Sequence, residues 1–570
     1  DLGKDYVVLD EVKGSELKGL KYEHPWENEI QDYTKLKLKH PKIHTIVLSK
    51  EHVNLDAGTG LVHCAPGCGP EDYEVGRENN IPPYNNINER GIFPENMGEV
   101  SKLTAKKDDK KFIEKLESDG ALIGSIPVEH EYAHHERCHS PVIFKTTKQW
   151  FFKTEDLKER MLDLNKGVYW APETVKNAFD SWLDNLRDNS ITRQRFWGTP
   201  APIWRCNKCK DYVVVSSKAE ITKLSGQEPE DLHRPWIDKI TIPCKCGSKK
   251  ERIPDVLDVW IDAGVGSWAC LYYPQKTEHF EKLFPADFIL EAREQVRGWF
   301  NLLMVSSVLA LDKIPFKNVY VHGMLTDIEG KKMSKSLGNV ISPYEAMEKY
   351  GSDALRFYMS QSNAGEDINF SWDEMKNKFK ILSILWNVHE YLLNYCSSLS
   401  IDPTRMPEEL DLEEKYILSK LNKTIKNVTE MYEFYLIDKV PKELESLIIA
   451  LSREYIQSTR DKMSEKPHLV VSTIYKVLVE TIKMLSTVSP FISEKIYQNL
   501  KLPFNLENES VSLEEWPKYN PKLIDENLEK QLAMAQDIIQ AGLAAREKAK
   551  KGVRWPIKEI QIISSNKDVK

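Results

Sequence analysis

The sequence has no apolar run near the ~18 to 20 residues that a membrane-crossing helix needs, and its charged residues are spread along the whole chain. It opens on Asp1-Leu2-Gly3-Lys4-Asp5, with neither an initiator Met nor the basic-then-apolar pattern of a signal peptide. It also lacks a basic excess. Lys and Arg number 79 against 87 Asp and Glu, a net charge of −8, so no overall positive field recruits nucleic acid and any such contact must use local basic patches. Nor does the cysteine pattern favour a disulfide framework: the nine cysteines are an odd number, and four of them sit in two tight pairs, which suggests metal binding in a reducing compartment more than disulfides. No internal repeat or low-complexity segment is present. What remains is ordinary globular usage, 41% hydrophobic and 29% charged over 570 residues, a length that predicts roughly three to five domains. The sequence reads as a soluble, intracellular, multidomain chain and as a piece of something longer.

Along the chain the pattern changes twice. Up to about residue 145, short apolar runs such as Thr45-Ile46-Val47-Leu48, Gly60-Leu61-Val62-His63 and Ala121-Leu122-Ile123 alternate with turn residues, predicting a mixed α+β region with short strands. Next, Asp287-Phe288-Ile289-Leu290, the apolar stretch Trp299 to Leu311 and Val319-Tyr320-Val321-His322 give the order strand, helix, strand of a parallel α/β sheet. Ligands of such sheets sit at the carboxyl ends of the strands. From about residue 400, Ile417, Leu421, Ile425, Val428, Tyr432 and Tyr435 recur at helical spacing, predicting a helix bundle.

Cys206-Asn207-Lys208-Cys209 and Cys244-Lys245-Cys246-Gly247 are separated by 34 residues. Four thiolates suit a tetrahedral structural zinc, and Gly247 permits a tight knuckle, so Cys206, Cys209, Cys244 and Cys246 read as zinc ligands in preference to unmetallated thiols. His134, His135, Cys138 and His139 form a looser cluster, read as packing or hydrogen bonding.

The most informative segment is Gly330-Lys331-Lys332-Met333-Ser334-Lys335-Ser336-Leu337-Gly338-Asn339. Lys332 and Lys335, on a glycine-flanked loop with the hydroxyls of Ser334 and Ser336, can close on a polyphosphate and stabilise charge developing on it. The string resembles the K-M-S-K-S signature of class I aminoacyl-tRNA synthetases. Thr192 to Pro200 (Thr-Arg-Gln-Arg-Phe-Trp-Gly-Thr-Pro), Asp258 to Gly264 (Asp-Val-Trp-Ile-Asp-Ala-Gly) and Gln295 to Phe300 (Gln-Val-Arg-Gly-Trp-Phe) are similar to blocks shared by the isoleucyl, valyl and leucyl members. Gly58 to Tyr73 resembles the isoleucyl form of the editing motif, and Phe370 to Asp373, Leu385 to Val388, Ala544 to Lys548 and Arg554 to Ile557 resemble the archaeal and eukaryotic-type isoleucyl branch.

The resemblance implies the second half of a Rossmann-like catalytic core, part of a mixed α+β editing domain, a zinc-binding insertion and an α-helical anticodon-binding bundle. The corresponding boundaries are 1–145 for the end of the editing domain, 146–205 for the return into the core and 206–250 for the zinc insertion. They continue with 251–345 for the second core half with the K-M-S-K-S loop, 346–400 for a stem-contact helical junction, 401–530 for the anticodon bundle and 531–570 for the start of a C-terminal region. None of the 14 histidines has a His-x-Gly-His context. The H-I-G-H signature of the family, which precedes the editing insertion, is therefore expected on a preceding segment, and the 570 residues alone are expected to be inactive in aminoacylation.

The implied activity joins isoleucine to tRNA(Ile). Isoleucine carboxylate attacks the ATP α-phosphorus, with Mg²⁺ accompanying ATP, and the terminal tRNA ribose then takes the acyl group without a covalent enzyme intermediate. Lys332 and Lys335 are the implied catalytic residues, with Ser334, Ser336, His322 and Gly323 joining them at ATP. Glu291, Glu294, Gln295 and Trp299 are implied at the aminoacyl-adenylate, and His63 and Asp72 in the editing of valyl-tRNA(Ile). A carboxylate such as Asp72 suits the ammonium group of a misacylated amino acid. The resemblance implies editing because one methylene separates valine from isoleucine, and the isoleucyl members are the standard illustration of that limit, at about 150-fold. A monomeric cytoplasmic protein with no membrane partner is implied.

The chain departs from the family at Ala292 (usually Gly), Glu294 (Asp), Ile261 and Ala263 (Phe and Ser) and Cys68 (often His). Alternatives are valyl specificity, which the His63 motif disfavours, and a non-catalytic tRNA-binding or editing paralogue, which the intact lysine loop disfavours. Arg453, Arg460, Trp516 and the stretch Arg546 to Arg554 are candidates for RNA contact in the helical domain.

Overall fold

The computed structural model describes residues 7–54, 60–125, 127, 129–135, 138–334 and 337–563. Two compact units divide at Gln149 and Trp150. Among the described residues no helix is long and apolar enough to cross a membrane.

The first unit packs helices Gln31–Lys39 and Asp109–Ser118 around Trp26, Ile30, Met97 and Val100, while helix Pro70–Asn79 carries the end of the editing-like motif. Lys115 lies in this core with its ammonium 3.1 Å from Glu29, 3.2 Å from Glu99 and 3.3 Å from Asp119, and Asp119 also takes the Trp26 indole N–H at 2.9 Å. A buried charge is tolerated only when compensated in this way. The short strands read from Thr45–Leu48, Gly60–His63 and Ala121–Ile123 do not form among the described residues. Thr45 makes a single bridge to Lys21, and the other two runs make none. An extended run becomes a strand only when a neighbouring run completes its ladder.

The second unit opens with β1 (Phe151–Phe152), β2 (Tyr169–Ala171), β3 (Asn189–Ser190), β4 (Thr192–Arg193), β5 (Ile203–Cys206) and β6 (Tyr212–Val214). It continues with β7 (Thr241–Pro243), β8 (Lys249–Arg252), β9 (Val256–Leu257), β10 (Ile289–Ala292), β11 (Asn318–His322), β12 (Leu325–Thr326) and β13 (Ile368–Asn369). The order β10-β11-β2 forms a parallel sheet, with Ile289 opposite Val319 and Ala292 opposite His322. The crossover between β10 and β11 is the helix Trp299–Leu311, so the strand, helix, strand pattern of the sequence is the pattern of the fold. Phe300, Leu303, Met304, Phe316, Val319 and Val321 bury the sheet against this helix. An antiparallel sheet in the order β6-β5-β8-β7 forms a separate small body with its own core of Trp204, Val215, Ile221, Ile237, Ile240 and Ile242.

The helical region is built on Trp372–Leu399, Leu412–Glu433, Val440–Ile449, Pro467–Leu485 and Pro490–Phe504. Ile417, Leu421, Ile425 and Val428 are all buried, as their spacing predicts, and one apolar core runs from Ala346 to Val511, so residues 346–400 share it with the helices that follow. Tyr435 lies beyond the end of its helix with φ +54° and stacks on Phe288, 5.1 Å between ring centres, tying the bundle to the parallel sheet.

Candidate functional site

The carboxyl ends of β10 and β11 bring Glu291, Glu294, Gln295, His322 and Gly323 to one edge. Glu291 and Ala292 end β10 opposite Val321 and His322, and the chain then turns through Arg293–Val296 into the helix starting at Trp299. Gln295 caps that helix, its Oε1 accepting the Trp299 backbone N–H at 2.9 Å. A Cβ at Gly298 would lie 2.6 Å from Gln295 Oε1 and 3.2 Å from the Trp260 ring, so a larger residue here would displace the Gln295 cap. The Trp299 indole donates to the Ala263 carbonyl at 3.0 Å and packs against the sheet core. A cavity of about 420 Å³ beside this turn is lined by Glu294, Gln295, Trp260, Arg193, Asp258 and Asn301, among others, and Trp299 is not on its wall.

Two blocks far apart in the sequence meet at this cavity. β4 pairs antiparallel with β9, and the Arg193 guanidinium forms an ion pair with Asp258, whose carboxylate also caps the helix Val259–Gly264 at the Trp260 N–H, 2.8 Å away. Asn301 is 2% exposed and its Oδ1 has no partner among the described residues, leaving an acceptor on the cavity wall. Its trace in the sequence is one amide inside the apolar run Trp299 to Val305. A larger hollow of about 630 Å³, between Tyr350, Asp353, Trp386 and Phe491 in the helical junction, contains none of the named site residues.

At the end of β11, His322 Nδ1 lies 2.6 Å from the Gly323 carbonyl oxygen. A Cβ at Gly323 would fall 1.9 Å from the Glu366 carbonyl oxygen, so only glycine lets the two backbones pass. The chain continues through β12 into the lysine loop, which is stapled at its base. Asp327 accepts from the Lys331 N–H (2.7 Å), the Glu329 N–H (3.0 Å) and Asn339 Nδ2 (2.8 Å). Asn339 in turn donates to the Lys332 carbonyl at 3.2 Å and accepts the Ser334 N–H at 2.9 Å. The Asn339 amide, and after it the Lys331 N–H, hold the Asp327 carboxyl below its ordinary range. Lys332 is exposed and bridges to Thr326. Lys335 and Ser336 lie outside the described residues, as do Gly58 and Thr59 of the editing motif.

In the first unit, Asp72 sits in the first turn of helix Pro70–Asn79 and its Oδ1 accepts the Ala65 N–H at 3.2 Å. Burial, and then the Asp72 charge, push the Cys64 thiol up to about 11 and raise that of Cys68. His63 is exposed, and no hydrogen bond joins it to Asp72 among the described residues. It stands close enough to His24 to add to the burial and the His44 charge that lower His24 to about 4.

The cysteines come together. Cys206 ends β5, Cys244 follows β7, and the four sulfurs lie within 4.8 Å of one another. Measured separations are 3.6 Å for Cys206 to Cys246, 3.5 Å for Cys209 to Cys244 and 3.5 Å for Cys244 to Cys246. A tetrahedral ion with sulfur ligands at about 2.3 Å has edges of about 3.8 Å, so the cluster can hold a metal. Gly247 takes φ +79° and returns its N–H to the Cys244 carbonyl at 3.0 Å, forming the tight knuckle. The Cys209 N–H, and after it that of Lys208, draw the Cys206 thiol down to about 6 against its burial.

Comparison with known proteins adds the decisive observation. The sequence profile described as "tRNA synthetases class I (I, L, M and V)" matches residues 24–371, more than half of the chain. The chain belongs to the class I tRNA synthetases. Residues 414–562 of this synthetase chain match the "Anticodon-binding domain of tRNA ligase", in line with the helical region. Over 584 aligned residues it is 38% identical to an isoleucine–tRNA ligase of Methanothermobacter thermautotrophicus, covering 100% of this chain and 55% of that protein. An isoleucine–tRNA ligase of Pyrococcus furiosus is 38% identical over 605 residues, covering 100% of this chain and 56% of that protein. The chain thus spans about half the length of the curated relatives it matches.

Two of the side chains read as RNA contacts in this synthetase have structural partners. Trp516 is part-buried against Tyr432 and donates to Thr429 Oγ1 at 2.9 Å, and Arg546 closes a turn onto the carbonyls of Gly552 (2.7 Å) and Val553 (3.0 Å). Arg453 and Arg460 are exposed. His134 is 2.9 Å from the Tyr132 carbonyl, and the Cys138 N–H donates to His135, so this cluster is tied to its own backbone.

Proposed function

We propose that the chain is part of an isoleucine–tRNA ligase that forms isoleucyl-adenylate, transfers isoleucine to tRNA(Ile) and hydrolyses valyl-tRNA(Ile). The observation that carries this reading is the lysine loop stapled by Asp327 and Asn339, which follows β12 a few residues past the carboxyl end of β11, the strand paired in parallel with β10 and its turn Glu291–Gln295. In this arrangement Lys332 and Lys335, with Ser334 and Ser336, hold the phosphates of ATP, which enters with Mg²⁺, and His322 and Gly323 lie at the strand end facing it. Glu291, Glu294 and Gln295 orient the ribose and amino group, Trp260 lines the cavity beside them, and Trp299 stays off its wall, bound to the Ala263 carbonyl. Catalysis comes from positioning and charge stabilisation at the α-phosphorus. Cys206, Cys209, Cys244 and Cys246 hold a structural zinc, which keeps the small insertion folded. Asp72 receives the amino group of a mischarged valine, with His63 beside the path to it. The protein acts as a cytoplasmic monomer.

Protein extended to the length of the curated relatives should charge tRNA(Ile) with isoleucine and clear valyl-tRNA(Ile). Asp72→Ala should let valyl-tRNA(Ile) accumulate while isoleucine activation stays near the parental rate. Failure to charge tRNA(Ile) would overturn the synthetase reading, and deacylation by Asp72→Ala at the parental rate would overturn the editing role.

A further inference from the structure

The parallel pairing of β10 and β11 stops at Ala292 and His322. One residue further on, the two chains part: β10 turns at Arg293 into the adenylate-side turn, and β11 passes through Gly323 and Met324 into β12 and the lysine loop. A carboxylate spans the gap. Asp367 accepts the Met324 backbone N–H on Oδ1 at 2.7 Å and the Arg293 guanidinium on Oδ2 at 2.8 Å. We infer that Asp367 is a positioning residue, holding the strand that launches the K-M-S-K-S loop in register with the turn Glu291–Gln295.

The segment around Asp367 is built to fix that carboxylate. The Gly365 N–H donates to the Val321 carbonyl (2.8 Å), the Ile368 N–H to Met324 (3.0 Å) and the Phe370 N–H to Thr326 (3.1 Å). The segment therefore runs beside β11 and β12 along their whole exit from the sheet. The close passage of Gly323 against Glu366 leaves no slack between them. Each oxygen of Asp367 serves a different element, so the side chain does where the sheet ends what the ladder does inside it.

Stability does not explain this pair. The side chains of Arg293 and Asp367 are 55% and 35% exposed, and ion pairs at such exposure contribute little to folding. Geometry does explain it. Two groups that must act on one substrate sit on two chains leaving a sheet in different directions, and a misplacement of about 1 Å between them can lower a rate about 100-fold.

This inference rests on the proposed adenylate-forming function, and its test separates the two. In the 570-residue chain, Asp367→Ala should speed amide hydrogen exchange over residues 322–332, while Asp367→Asn, which keeps an acceptor for Met324, should change it less; unchanged exchange in both would overturn the clamp. In protein of the relatives' length, Asp367→Ala should lower kcat for adenylate formation roughly 30- to 100-fold, with KM for ATP and isoleucine within about 3-fold and melting unchanged. Asp367→Asn should restore part of the rate. A parental kcat in Asp367→Ala, or a loss that follows a falling Tm, would overturn the positioning role. If the parental protein formed no adenylate, the functional reading would fail, and the exchange experiment would still decide whether Asp367 couples the two strand ends.

Discussion

Cys206→Ser should reduce zinc content from about one ion per chain to near zero and leave the insertion from Cys206 to Lys250 open to proteases, while the parallel sheet and the helical region stay folded. The reason is size. A body of about 45 residues has little core of its own and is close to the size at which a metal or disulfides are usually needed, and here the core is only Trp204, just before it, with Val215, Ile221, Ile237, Ile240 and Ile242. The four sulfurs join the end of β5 to the turn after β7, so one ion held by them would tie the two together and couple its binding to folding. Cys244→Ser should act in the same way, because each removes one of four ligands. Metal analysis of the reduced protein checks the first part and limited proteolysis the second. Purified protein without zinc, or a variant that loses zinc and keeps its protease resistance, would count against the account.

Asp327→Ala should lower the turnover of adenylate formation about 100-fold in protein of the relatives' length, with smaller changes in KM. Its carboxylate joins the Lys331 and Glu329 backbones to Asn339 across the neck of the lysine loop. Without it those donors lose their common acceptor, and the lysine loop, which the proposed function has closing on the phosphates, leaves β12 in no fixed direction. Asn339→Ala should give a similar but smaller loss, since Asp327 keeps its two backbone partners. Pre-steady-state adenylate formation, compared with melting curves of the same variants, distinguishes a misdirected loop from an unfolded one. A variant with parental turnover would show that the loop needs no anchor at Asp327.

Sequence periodicity located what depends on neighbours along the chain. The helix from Trp299 to Leu311 and the buried positions Ile417, Leu421, Ile425 and Val428 follow from local spacing, because a helix satisfies its own backbone. The cysteine quartet was legible for a different reason, its restricted spacing and the limited chemistry of thiols. What the sequence hid were partnerships between distant residues: Arg193 with Asp258, Asp327 with Asn339, and Asp367 with Arg293 and Met324. Arg193, Arg293 and the carboxylates Asp258, Asp327 and Asp367 are ordinary polar residues by type, and only the fold gives them these partners. The same dependence explains why the apolar runs Thr45–Leu48, Gly60–His63 and Ala121–Ile123 pattern as strands and do not form them among the described residues, since strand formation is decided by a second run elsewhere. Trp516 illustrates the converse, an aromatic that suits RNA stacking by type and is taken up by Tyr432 and Thr429.

The central claim is that these residues form the lysine-loop side of an isoleucine-activating site, whose other side is the H-I-G-H segment of the family. Isoleucine-dependent exchange of pyrophosphate into ATP tests it most directly, measured on the 570 residues alone and again with an H-I-G-H-bearing segment joined to them or added as a complementing fragment. On the proposed reading the 570 residues carry one side of a preorganised site, which alone cannot supply the positioning that contributes roughly 7 to 11 kcal/mol when reactants are fully oriented. The account predicts no exchange by the 570 residues alone and restored exchange in the completed protein, with isoleucine preferred over valine. Exchange by the 570 residues alone, or a completed protein that prefers valine, would contradict it.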